Sequence, residues 1–496
     1  MTDGLDEVYG GSLALLTDLY QLTMGCGYWK AGESEREAVF HLFFRRAPFG
    51  GAFAVAAGIG PALAFLRRLR FSPEDLAYLA TLRDNAGAQL FPQGYLDCLR
   101  DLRFTCTVDA VPEGSLVFAH EPILRIRGPI LQAQLVETAL LTLVNFQTLI
   151  ATKSARVCQA ARGAPVLEFG LRRAQGLDGG LGASRAAYIG GAAATSNVLA
   201  GRLLGIPVRG THAHSWVMFH GDELEAFRAY AEALPGNCTF LVDTYDTLDG
   251  VRHAIEVGRE LRAKGYKLAG IRLDSGDLAY LSIQARALLD AGGFPDARIV
   301  ASNDLDETTI ASLLEQGARI DVFGVGTKLV TAYDQPALGG VYKLGAVRDA
   351  SGTWREAIKL SEQPIKISNP GNLQVRRLRK QGELVADVLY DSEHGLSTSA
   401  SGAPTLYDIE DPLRPPVTPE FDQADDLLRT VLVGGERVGA PDTLEAARGR
   451  CTADLAALSA RSKRFLNPQP HPVGLDAHVH ARKLALIADA RAKKAT

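Results

Sequence analysis

The chain has 496 residues, 47% of them hydrophobic, a length that suggests two or three domains, or one barrel with an added domain. Its 53 basic and 57 acidic residues give a formal net charge of −4, so we do not expect a dedicated nucleic-acid binder, which needs a basic face. This balance still allows a local basic pocket for a phosphorylated small molecule.

Cysteine usage and the absence of a leader pattern predict a cytoplasmic protein. The six cysteines are scattered without a C-x-x-C pair, which argues against a disulfide framework or a structural zinc site. Residues 1–10 are acidic and lack the basic start and apolar run of a secretory signal. The most apolar segment, Ile130–Ala151, contains Gln, Glu and Asn residues, so it predicts a buried amphipathic helix and no membrane span.

The predicted elements change character along the chain. The first 150 residues mix helical and strand patterns, whereas residues 165–345 alternate short apolar runs with segments of helical length. The predicted strands are Pro165–Phe169, Pro207–Thr211, Thr239–Asp243, Leu268–Leu273, Arg298–Ser302, Arg319–Phe323 and Gly340–Leu344. Such alternation implies parallel pairing through right-handed crossovers. The fold class is therefore α/β, with an irregular β/α barrel preferred over an open doubly wound sheet.

The C-terminal part has a different composition. Residues 361–420 carry many Pro, Gly and charged residues together with strand-like pieces such as Glu383–Tyr390, and Asp476–Thr496 has the pattern of a basic helix. We therefore divide the chain into an N-terminal α+β domain (1–150), a catalytic barrel (151–360) and a C-terminal segment (361–496). The last is expected to pack with the N-terminal domain as a second α+β domain.

Residues capable of chemistry follow nearly every predicted strand. These strand ends are Glu168–Gly170, Thr211–His214, Asp243–Asp246, Asp274–Asp277, Ser302–Asp304 and Gly324–Thr327. In barrel enzymes the working groups lie at the carboxyl ends of the strands. The pattern therefore predicts an active site at this rim.

The segment Arg272–Asp277 is the most informative of these ends. It delivers Arg272, which suits a phosphate through its fork of donors, and Asp274, which suits ribose hydroxyls or a magnesium ion. The alternative is a helix N-cap made by Ser275 or Asp277. Capping explains one acidic residue but not Arg272 and Asp274 on the same strand end.

Three other segments indicate ligand binding, each with an ordinary structural alternative. Gly324 and Gly326 precede Thr327 and would expose N–H groups to a phosphate, although a plain βα turn fits equally well. Phe169 beside Arg172 suits a flat anionic ring, against the commoner case of a core Phe next to a solvated Arg. The glycine-rich stretch Gly176–Gly191 is either a mobile loop feeding a helix N-terminus or a flexible surface loop.

Two histidines alternate in the segment Thr211–His214. His212 and His214 point to opposite faces of an extended chain, so one is a candidate nucleophile or a buried hydrogen-bonded group. A metallohydrolase would need further ligands on later strands, and after His220 the predicted strand ends carry no histidine. The chain also lacks the motifs of serine hydrolases, P-loop ATPases and Rossmann dehydrogenases.

Taken in order, these segments resemble the nicotinate phosphoribosyltransferase family over most of the chain. The motifs are Thr17–Met24, Glu168–Ala174, Thr195–Val198, Gly210–Ser215, Leu241–Asp246, Arg272–Asp277, Ser302–Asp304, Phe323–Thr327 and Gly339–Leu344. The resemblance implies an irregular barrel, an added domain built from both chain ends, and a homodimer whose active sites lie at the subunit boundary. It also implies transfer from phosphoribosyl pyrophosphate to nicotinate with magnesium, coupled to ATP hydrolysis, as the first step of NAD synthesis from nicotinate.

The resemblance also implies residue roles. Tyr20, contributed across the dimer, would stack on the pyridine ring against Phe169, and Arg172 would meet the nicotinate carboxylate. His214 matches the family's phosphorylated histidine. Asp243 and Asp274 would organise ribose and magnesium, the latter directly or through water. The remaining predicted contacts to phosphates and substrate are Arg272, Thr195, Ser196, Ser302, Asn303, Gly324, Gly326 and Thr327.

The choice of substrate depends on Ser196. The family's nicotinamide-using relative carries an aspartate near this position, where an amide needs an acceptor, and the absence of that carboxylate here favours nicotinate. Alternatives are a nicotinamide or quinolinate phosphoribosyltransferase, the latter wanting a larger basic cluster than Arg172 and Arg173. A non-catalytic sensor of phosphoribosyl ligands is the alternative from another class, against which the set of His214 and the two aspartates argues.

Overall fold

The computed structural model describes residues 11–398 and 402–495. The chain forms two compact units, one containing residues 153–336 and the other residues 11–152 together with 337–495. The helix Glu137–Ala160 contains the boundary between them. The prediction about a signal in residues 1–10 falls outside the described ranges. Within those ranges, no helix combines the length and apolar character needed to cross a bilayer.

The unit of residues 153–336 is built on a parallel sheet, which confirms the α/β class. The spatial order of its strands is Ala194–Thr195, Val166–Glu168, Val322–Val325, Arg298–Ala301, Gly270–Leu273 and Thr239–Leu241. The helices between and after them are Gly176–Ile189, Val198–Leu204, His214–His220, Glu223–Ala233, Thr247–Ala263, Leu278–Ala291, Glu307–Glu315 and Thr327–Val330, with 3-10 turns at Leu171–Arg173 and Pro235–Asn237. Strand residues such as Phe240, Ile271 and Phe323 are fully buried, as expected for a parallel sheet covered on both faces. Closure of the sheet into a barrel stays a prediction.

Two of the predicted barrel strands are corrected. Pro207–Thr211 makes only a single parallel bridge, Val208 to Thr195, because Pro207 has no N–H with which to extend the ladder. Gly340–Leu344 is part of a strand, Gly340–Arg348, but this strand lies in the other unit and pairs antiparallel with Glu37–Phe44. Its first five residues are partly exposed except for the buried Tyr342, and Gly345–Val347 are buried, so the strand is covered along only part of its length.

The second unit is α+β and is assembled from both chain ends, as predicted. Its seven-stranded sheet has the order Trp354–Glu356, Gly340–Arg348, Glu37–Phe44, Leu124–Pro129, Thr107–Ala110, Arg429–Val433 and Glu436–Arg437. Its five-stranded sheet has the order Tyr407–Asp408, Val473–Leu475, Glu383–Asp391, Leu373–Lys380 and Gln423–Asp426, and Ala54–Val55 pairs with Leu116–Val117. The helices are Leu19–Lys30, Ile59–Arg68, Pro73–Thr81, Gln93–Asp101, Ile130–Leu135, Leu444–Ala457 and Ala477–Ala495, with 3-10 turns at Pro48–Gly50 and Pro364–Lys366.

Aspartate N-caps fix where the helices of the parallel unit begin. Asp246, Asp277 and Asp306 each accept an N–H bond in the first turn of the following helix, at 2.9, 3.0 and 2.7 Å. Each cap satisfies one of the orphan donors at a helix start. Asp277 is therefore the capping residue of its segment.

Candidate active site

Asp243 and Asp274 meet at the carboxyl ends of two neighbouring strands. The Oδ2 atom of Asp243 accepts hydrogen bonds from the Asp274 backbone N–H at 2.8 Å and from the Ser275 hydroxyl at 2.7 Å. In the described part of the chain, the buried Oδ1 atom of Asp243 has no hydrogen-bond partner. An unsatisfied buried carboxylate oxygen is costly. This atom therefore marks a place where a ligand or cation would be stabilised.

The guanidinium of Arg272 is held by three side chains. It donates from Nε to the Ser302 hydroxyl at 2.8 Å, from one terminal nitrogen to the Thr211 hydroxyl at 3.1 Å, and from the other to Asp274 Oδ1 at 2.7 Å. The Ser302 hydroxyl also donates to Asp274 Oδ1. The network pre-orders a cation and a carboxylate at one strand end, as binding of a charged substrate requires.

The same network sets the protonation state of Asp274. Burial alone would raise the pKa of this carboxyl, but the hydrogen bond from Ser302 and the charge of Arg272 outweigh burial and lower the pKa. Asp274 is therefore an anion throughout the neutral range. A fixed negative charge at this position suits a cationic transition state or a divalent ion.

The structure separates the roles of the two histidines. His212 is buried, its Nε2 accepts the Leu241 N–H at 3.2 Å, and its ring lies in an aromatic box of Phe227, Tyr230 and Phe240. Burial lowers the pKa of His212 to about 4, so it is a neutral structural residue. His214 is 38% exposed at its side chain and is the member of the pair available to a ligand.

Carboxylates and a hydroxyl surround the ring of His214. Its Nε2 lies 3.6 Å from Asp274 Oδ2 and 4.0 Å from Asp243 Oδ1, and its Nδ1 lies 3.1 Å from the Thr244 hydroxyl. His214 begins the helix His214–His220, directly after the loop anchored by His212. The predicted catalytic residues Arg272, Asp274, Asp243 and His214 thus share one rim.

Phe169 forms an aromatic wall beside this rim. Its ring lies over Gly324, where an added Cβ would come within 2.7 Å of the ring, and the Arg272 guanidinium lies 5.7 Å from the ring centroid. Gly324 therefore leaves the room that the ring occupies. Gly326 is also close to this segment, since an added Cβ would lie 3.3 Å from the Phe169 carbonyl oxygen.

The turn after the strand Arg298–Ala301 has an unusual backbone. Asn303 and Asp304 both adopt positive φ angles, of 100° and 43°. Such conformations cost free energy in residues other than glycine and often occur at ligand sites. Ser302 is joined to the Arg272 network, and Thr327 begins the short helix Thr327–Val330 after the neighbouring strand Val322–Val325. The predicted phosphate contacts therefore lie on adjacent strand ends.

Thr195, Ser196 and Arg172 differ in their accessibility. The Thr195 side chain is buried and its hydroxyl donates to Glu168 at 2.6 Å, which makes it part of the frame around the site. Ser196 is half-buried, and Arg172 is exposed on the 3-10 turn Leu171–Arg173. Direct contact with substrate stays a prediction for all three.

Tyr20 belongs to the other unit. It lies on the helix Leu19–Lys30, where 47% of its surface is exposed. Leu16, Leu19 and Met24 are also exposed beside it in sequence. Residues spaced by four share one helix face, so Tyr20 and Met24 contribute to one exposed apolar strip.

The sequence predicts no contact within the site for four of its residues, although it indicates Ser275 as a candidate helix cap. Thr211 and Thr244 contact Arg272 and His214, Ser275 contacts Asp243, and Glu168 binds Thr195. All four stand within the polar strand ends noted above. Their position at the strand ends thus indicated that they lie near the site. Their individual contacts could not be predicted, because the partners come from other segments of the chain.

Asp243 and Asp274 are the residues that fit a magnesium ion best. Oxygen ligands suit Mg²⁺, and Asp243 Oδ1 is a buried acceptor without a donor among the described residues. In the ranges that the structure covers, no group of three or more His, Cys, Asp or Glu side chains is arranged as a metal site. Mg²⁺ commonly binds through one or two carboxylates plus water and phosphate oxygens.

The chain is similar to known proteins in its sequence and in its fold. Residues 15–145, 165–368 and 373–483 match the models of the nicotinate phosphoribosyltransferase N-terminal domain, family and C-terminal domain. The nicotinate phosphoribosyltransferase of Bacillus subtilis is 49% identical over 77% of each chain, and that of Homo sapiens is 36% identical over 97% of this chain and 98% of the human one. The crystal structure of human nicotinic acid phosphoribosyltransferase superposes with a TM-score of 0.82 at 34% identity, covering 95% of this chain and 100% of that one.

Proposed function

This chain belongs to the nicotinate phosphoribosyltransferase family, and from that premise we propose that it joins nicotinate to the phosphoribosyl group of phosphoribosyl pyrophosphate. The products are nicotinate mononucleotide and pyrophosphate. One observation carries the proposal: the Phe169 ring shares a strand-end rim with the Arg272–Asp274 ion pair. An aromatic wall for a pyridine thus lies beside charges that suit a phosphorylated sugar.

Phosphoribosyl transfer to nicotinate requires stabilisation of charge more than it requires proton transfer. The pyridine nitrogen of nicotinate is already a nucleophile, so it attacks the ribose C1 without a general base. The C1–oxygen bond breaks, and its electron pair leaves with pyrophosphate. The ionised Asp274 stabilises the cationic ribose that develops, while Arg272 and backbone N–H groups near Gly324 and Gly326 receive the phosphates.

Magnesium is proposed as the accompanying ion. Asp243 and Asp274 would hold it, directly or through water, together with oxygens of the substrate. When bound, the ion would neutralise charge on the departing pyrophosphate. The protein itself keeps the two carboxylates fixed at the ends of adjacent strands, because the Asp274 N–H donates to Asp243 Oδ2.

We propose ATP coupling through His214, and the contacts of its ring support this role. The carboxylates of Asp274 and Asp243 face Nε2 and favour a proton on that atom, which leaves the lone pair on Nδ1. Nδ1 then attacks the γ-phosphorus of ATP, the bond to the bridging oxygen breaks, and ADP leaves. Thr244, whose hydroxyl lies 3.1 Å from Nδ1, would orient the attacking nitrogen. Water later hydrolyses the phosphohistidine, so one ATP is consumed in each cycle.

Selectivity for nicotinate rests on Arg172 and Ser196. The exposed guanidinium of Arg172 suits a carboxylate, and Ser196 brings no negative charge to oppose it. An aspartate at position 196 would instead accept a hydrogen bond from an amide. The arrangement therefore favours nicotinate over nicotinamide.

A homodimer with shared active sites completes the proposal. Leu16, Leu19, Tyr20 and Met24 are exposed apolar residues that a second copy would cover. In such a dimer Tyr20 would stack on the pyridine ring opposite Phe169. We also propose that the reaction is the first step of NAD synthesis from nicotinate, carried out in the cytoplasm.

The decisive test is formation of mononucleotide from phosphoribosyl pyrophosphate and magnesium. Nicotinate, nicotinamide and quinolinate are compared with and without ATP, and ADP release is measured in parallel. We expect turnover of nicotinate that ATP increases. Preference for nicotinamide or quinolinate would leave phosphoribosyl transfer in place but would contradict the proposal that Arg172 and Ser196 select nicotinate. Tight binding of phosphoribosyl pyrophosphate without turnover of any base would instead support the sensor.

A further inference from the structure

Glu168 is a buried carboxylate that directly precedes Phe169 in the chain. It ends the strand Val166–Glu168 and is 1% exposed. One carboxylate oxygen accepts the Gly170 backbone N–H, and the other accepts the hydroxyls of Ser184 at 2.9 Å and Thr195 at 2.6 Å. Its side chain thus joins three separate segments of the parallel unit.

Two of the three segments that Glu168 holds lead to residues of the proposed pyridine pocket. The Gly170 N–H belongs to the turn that carries Phe169 and Arg172. Thr195 precedes Ser196, whose backbone N–H also donates to the Glu168 carbonyl oxygen at 3.0 Å. Glu168 therefore holds both the turn that leads to Arg172 and the residue that precedes Ser196.

The rest of the network makes this frame stiff. Asn197 donates to the Ser184 hydroxyl at 3.2 Å, and its backbone N–H donates to the Thr195 hydroxyl at 3.0 Å. Buried hydrogen bonds to a charged acceptor are stronger than those between neutral groups, and a fully satisfied network specifies one conformation. A change at Glu168 is therefore transmitted to the loop that carries Ser196.

We infer that Glu168 is a positioning residue that sets the separation between Arg172 and Ser196, and thereby the selectivity of the site for a pyridine carboxylate. This inference rests on the proposed function. Glu168 does not itself touch substrate, since its oxygens are occupied by Gly170, Ser184 and Thr195. Its effect is on binding of the base, and the Asp243–Asp274 charge site lies on other strands of the sheet.

The chemistry of the network predicts different effects for two substitutions. In Glu168→Gln the amide oxygen still accepts the Gly170 N–H, and the amide nitrogen donates to the two hydroxyls, whose protons rotate to other acceptors. Ser184 has such an acceptor in the Gly180 carbonyl oxygen, 3.0 Å away. Glu168→Ala removes all three bonds and leaves a void where the side chain was. The glutamine variant therefore retains the frame, and the alanine variant releases it.

The test is steady-state kinetics of Glu168→Gln, Glu168→Ala and Ser184→Ala beside the wild type. For Glu168→Ala we expect the KM for nicotinate to rise at least about 10-fold and the kcat/KM ratio of nicotinate to nicotinamide to fall by a similar factor. The KM for phosphoribosyl pyrophosphate should stay within about twofold. Glu168→Gln should recover most of the loss, and Ser184→Ala should shift both quantities in the same direction by a smaller factor.

Glu223→Gln is the matched control. Glu223 is likewise buried in the parallel unit, and it pairs at 2.9 Å with His253, which lies on neither of the segments that carry Arg172 and Ser196. Its variant should lower the melting temperature without changing the nicotinate to nicotinamide ratio. An unchanged ratio in Glu168→Ala, or KM values for both substrates that rise together, would overturn the inference.

Two further outcomes keep the inference separable from the proposed function. If Glu168→Ala does not fold, the inference is tested with Glu168→Gln and Ser184→Ala instead. An unchanged selectivity in Ser184→Ala would then contradict a positioning role for Glu168. If the wild type itself does not turn over nicotinate, the proposed function has failed before any variant is compared. If the wild type turns over nicotinate, a variant effect confined to nicotinate therefore tests the role of Glu168 and not the proposed function.

Discussion

The Asp274 backbone N–H donates a 2.8 Å hydrogen bond to Oδ2 of Asp243, so the two carboxylates that follow neighbouring strands are linked through the main chain. Ser275 adds a second donor to the same oxygen at 2.7 Å. Asp243 thus has one oxygen committed to the protein and one without a protein donor in the described ranges.

Asp274→Asn should remove most of the activity while leaving the protein folded. The amide keeps the shape but loses the charge that Arg272 and Ser302 stabilise. We expect kcat/KM for phosphoribosyl pyrophosphate to fall about 10²- to 10³-fold. Asp277→Asn is the control, since asparagine caps a helix as well as aspartate does, and its rate should be unchanged. Turnover of Asp274→Asn at the wild-type rate would remove this residue from the site.

His214→Ala should abolish the stimulation by ATP and leave some basal transfer. The variant lacks the only proposed phosphoryl acceptor, so ADP release coupled to nicotinate should disappear. Acid-labile phosphate on the protein, measured with radiolabelled ATP, should be lost with it. His394→Ala, which alters a half-exposed imidazole of the other unit, is the control and should retain both. Coupling that persists in His214→Ala would assign the phosphate to another residue.

Ser196→Asp should weaken nicotinate and favour nicotinamide. A carboxylate near the base repels a second carboxylate and accepts a hydrogen bond from an amide. We expect kcat/KM for nicotinate to fall at least about 10-fold, while that for nicotinamide rises or stays constant. Ser196→Asn tests size without charge and should have the smaller effect. Equal losses for both bases in Ser196→Asp would place position 196 outside the base pocket.

Gly324→Ala should displace the Phe169 ring. The added methyl group would lie 2.7 Å from the ring, closer than side-chain atoms tolerate, so the ring must shift. We expect a rise in the KM for nicotinate of about 10-fold or more. Gly179→Ala is the matched control, because this helical glycine has open space around it, and alanine there should stabilise the helix by up to about 1 kcal/mol. Identical kinetics for the two variants would separate Phe169 from substrate binding.

Acid should destabilise the parallel unit through His212. Its pKa is lowered to about 4, so between pH 6.5 and 4 the unfolded chain binds a proton that the folded one does not. The contribution of neutral His212 to the free energy of unfolding is fully present above pH 6.5 and falls by about 3 kcal/mol as the pH drops to 4. Melting temperatures of the wild type and His212→Asn, measured from pH 7 to 4.5, should converge as the pH falls. A constant difference would contradict a neutral buried His212.

The sequence allowed much of the charge site to be predicted. Asp243 and Asp274 follow buried apolar runs, and Arg272 lies near the end of one. The carboxyl ends of parallel strands meet at one edge whatever the details of the sheet. Alternation alone places His212 and His214 on opposite faces without saying which face is inside. The family resemblance selected His214, and the structure adds that His212 is the buried member of the pair. The aromatic box that buries His212 comes from Phe227, Tyr230 and Phe240.

The errors lay where local pattern does not specify the partner. Gly340–Leu344 was correctly taken as extended, yet its partner is the strand Glu37–Phe44, some three hundred residues earlier in the chain. Nothing within a short apolar run states which sheet it joins. Thr211 and Thr244 were overlooked as contacts for the same reason, since each is brought to its partner by a different strand.

The pairing of Glu37–Phe44 with Gly340–Arg348 has a consequence for biosynthesis. The segment 153–336 is continuous and leaves the ribosome before the strand Gly340–Arg348, so its parallel sheet has all its strands available first. Until that strand emerges, one edge of Glu37–Phe44 is an open template for wrong pairing. Yield in cells should therefore depend on chaperones that shield the nascent N-terminal region, and slowing translation just before residue 340 should increase aggregation.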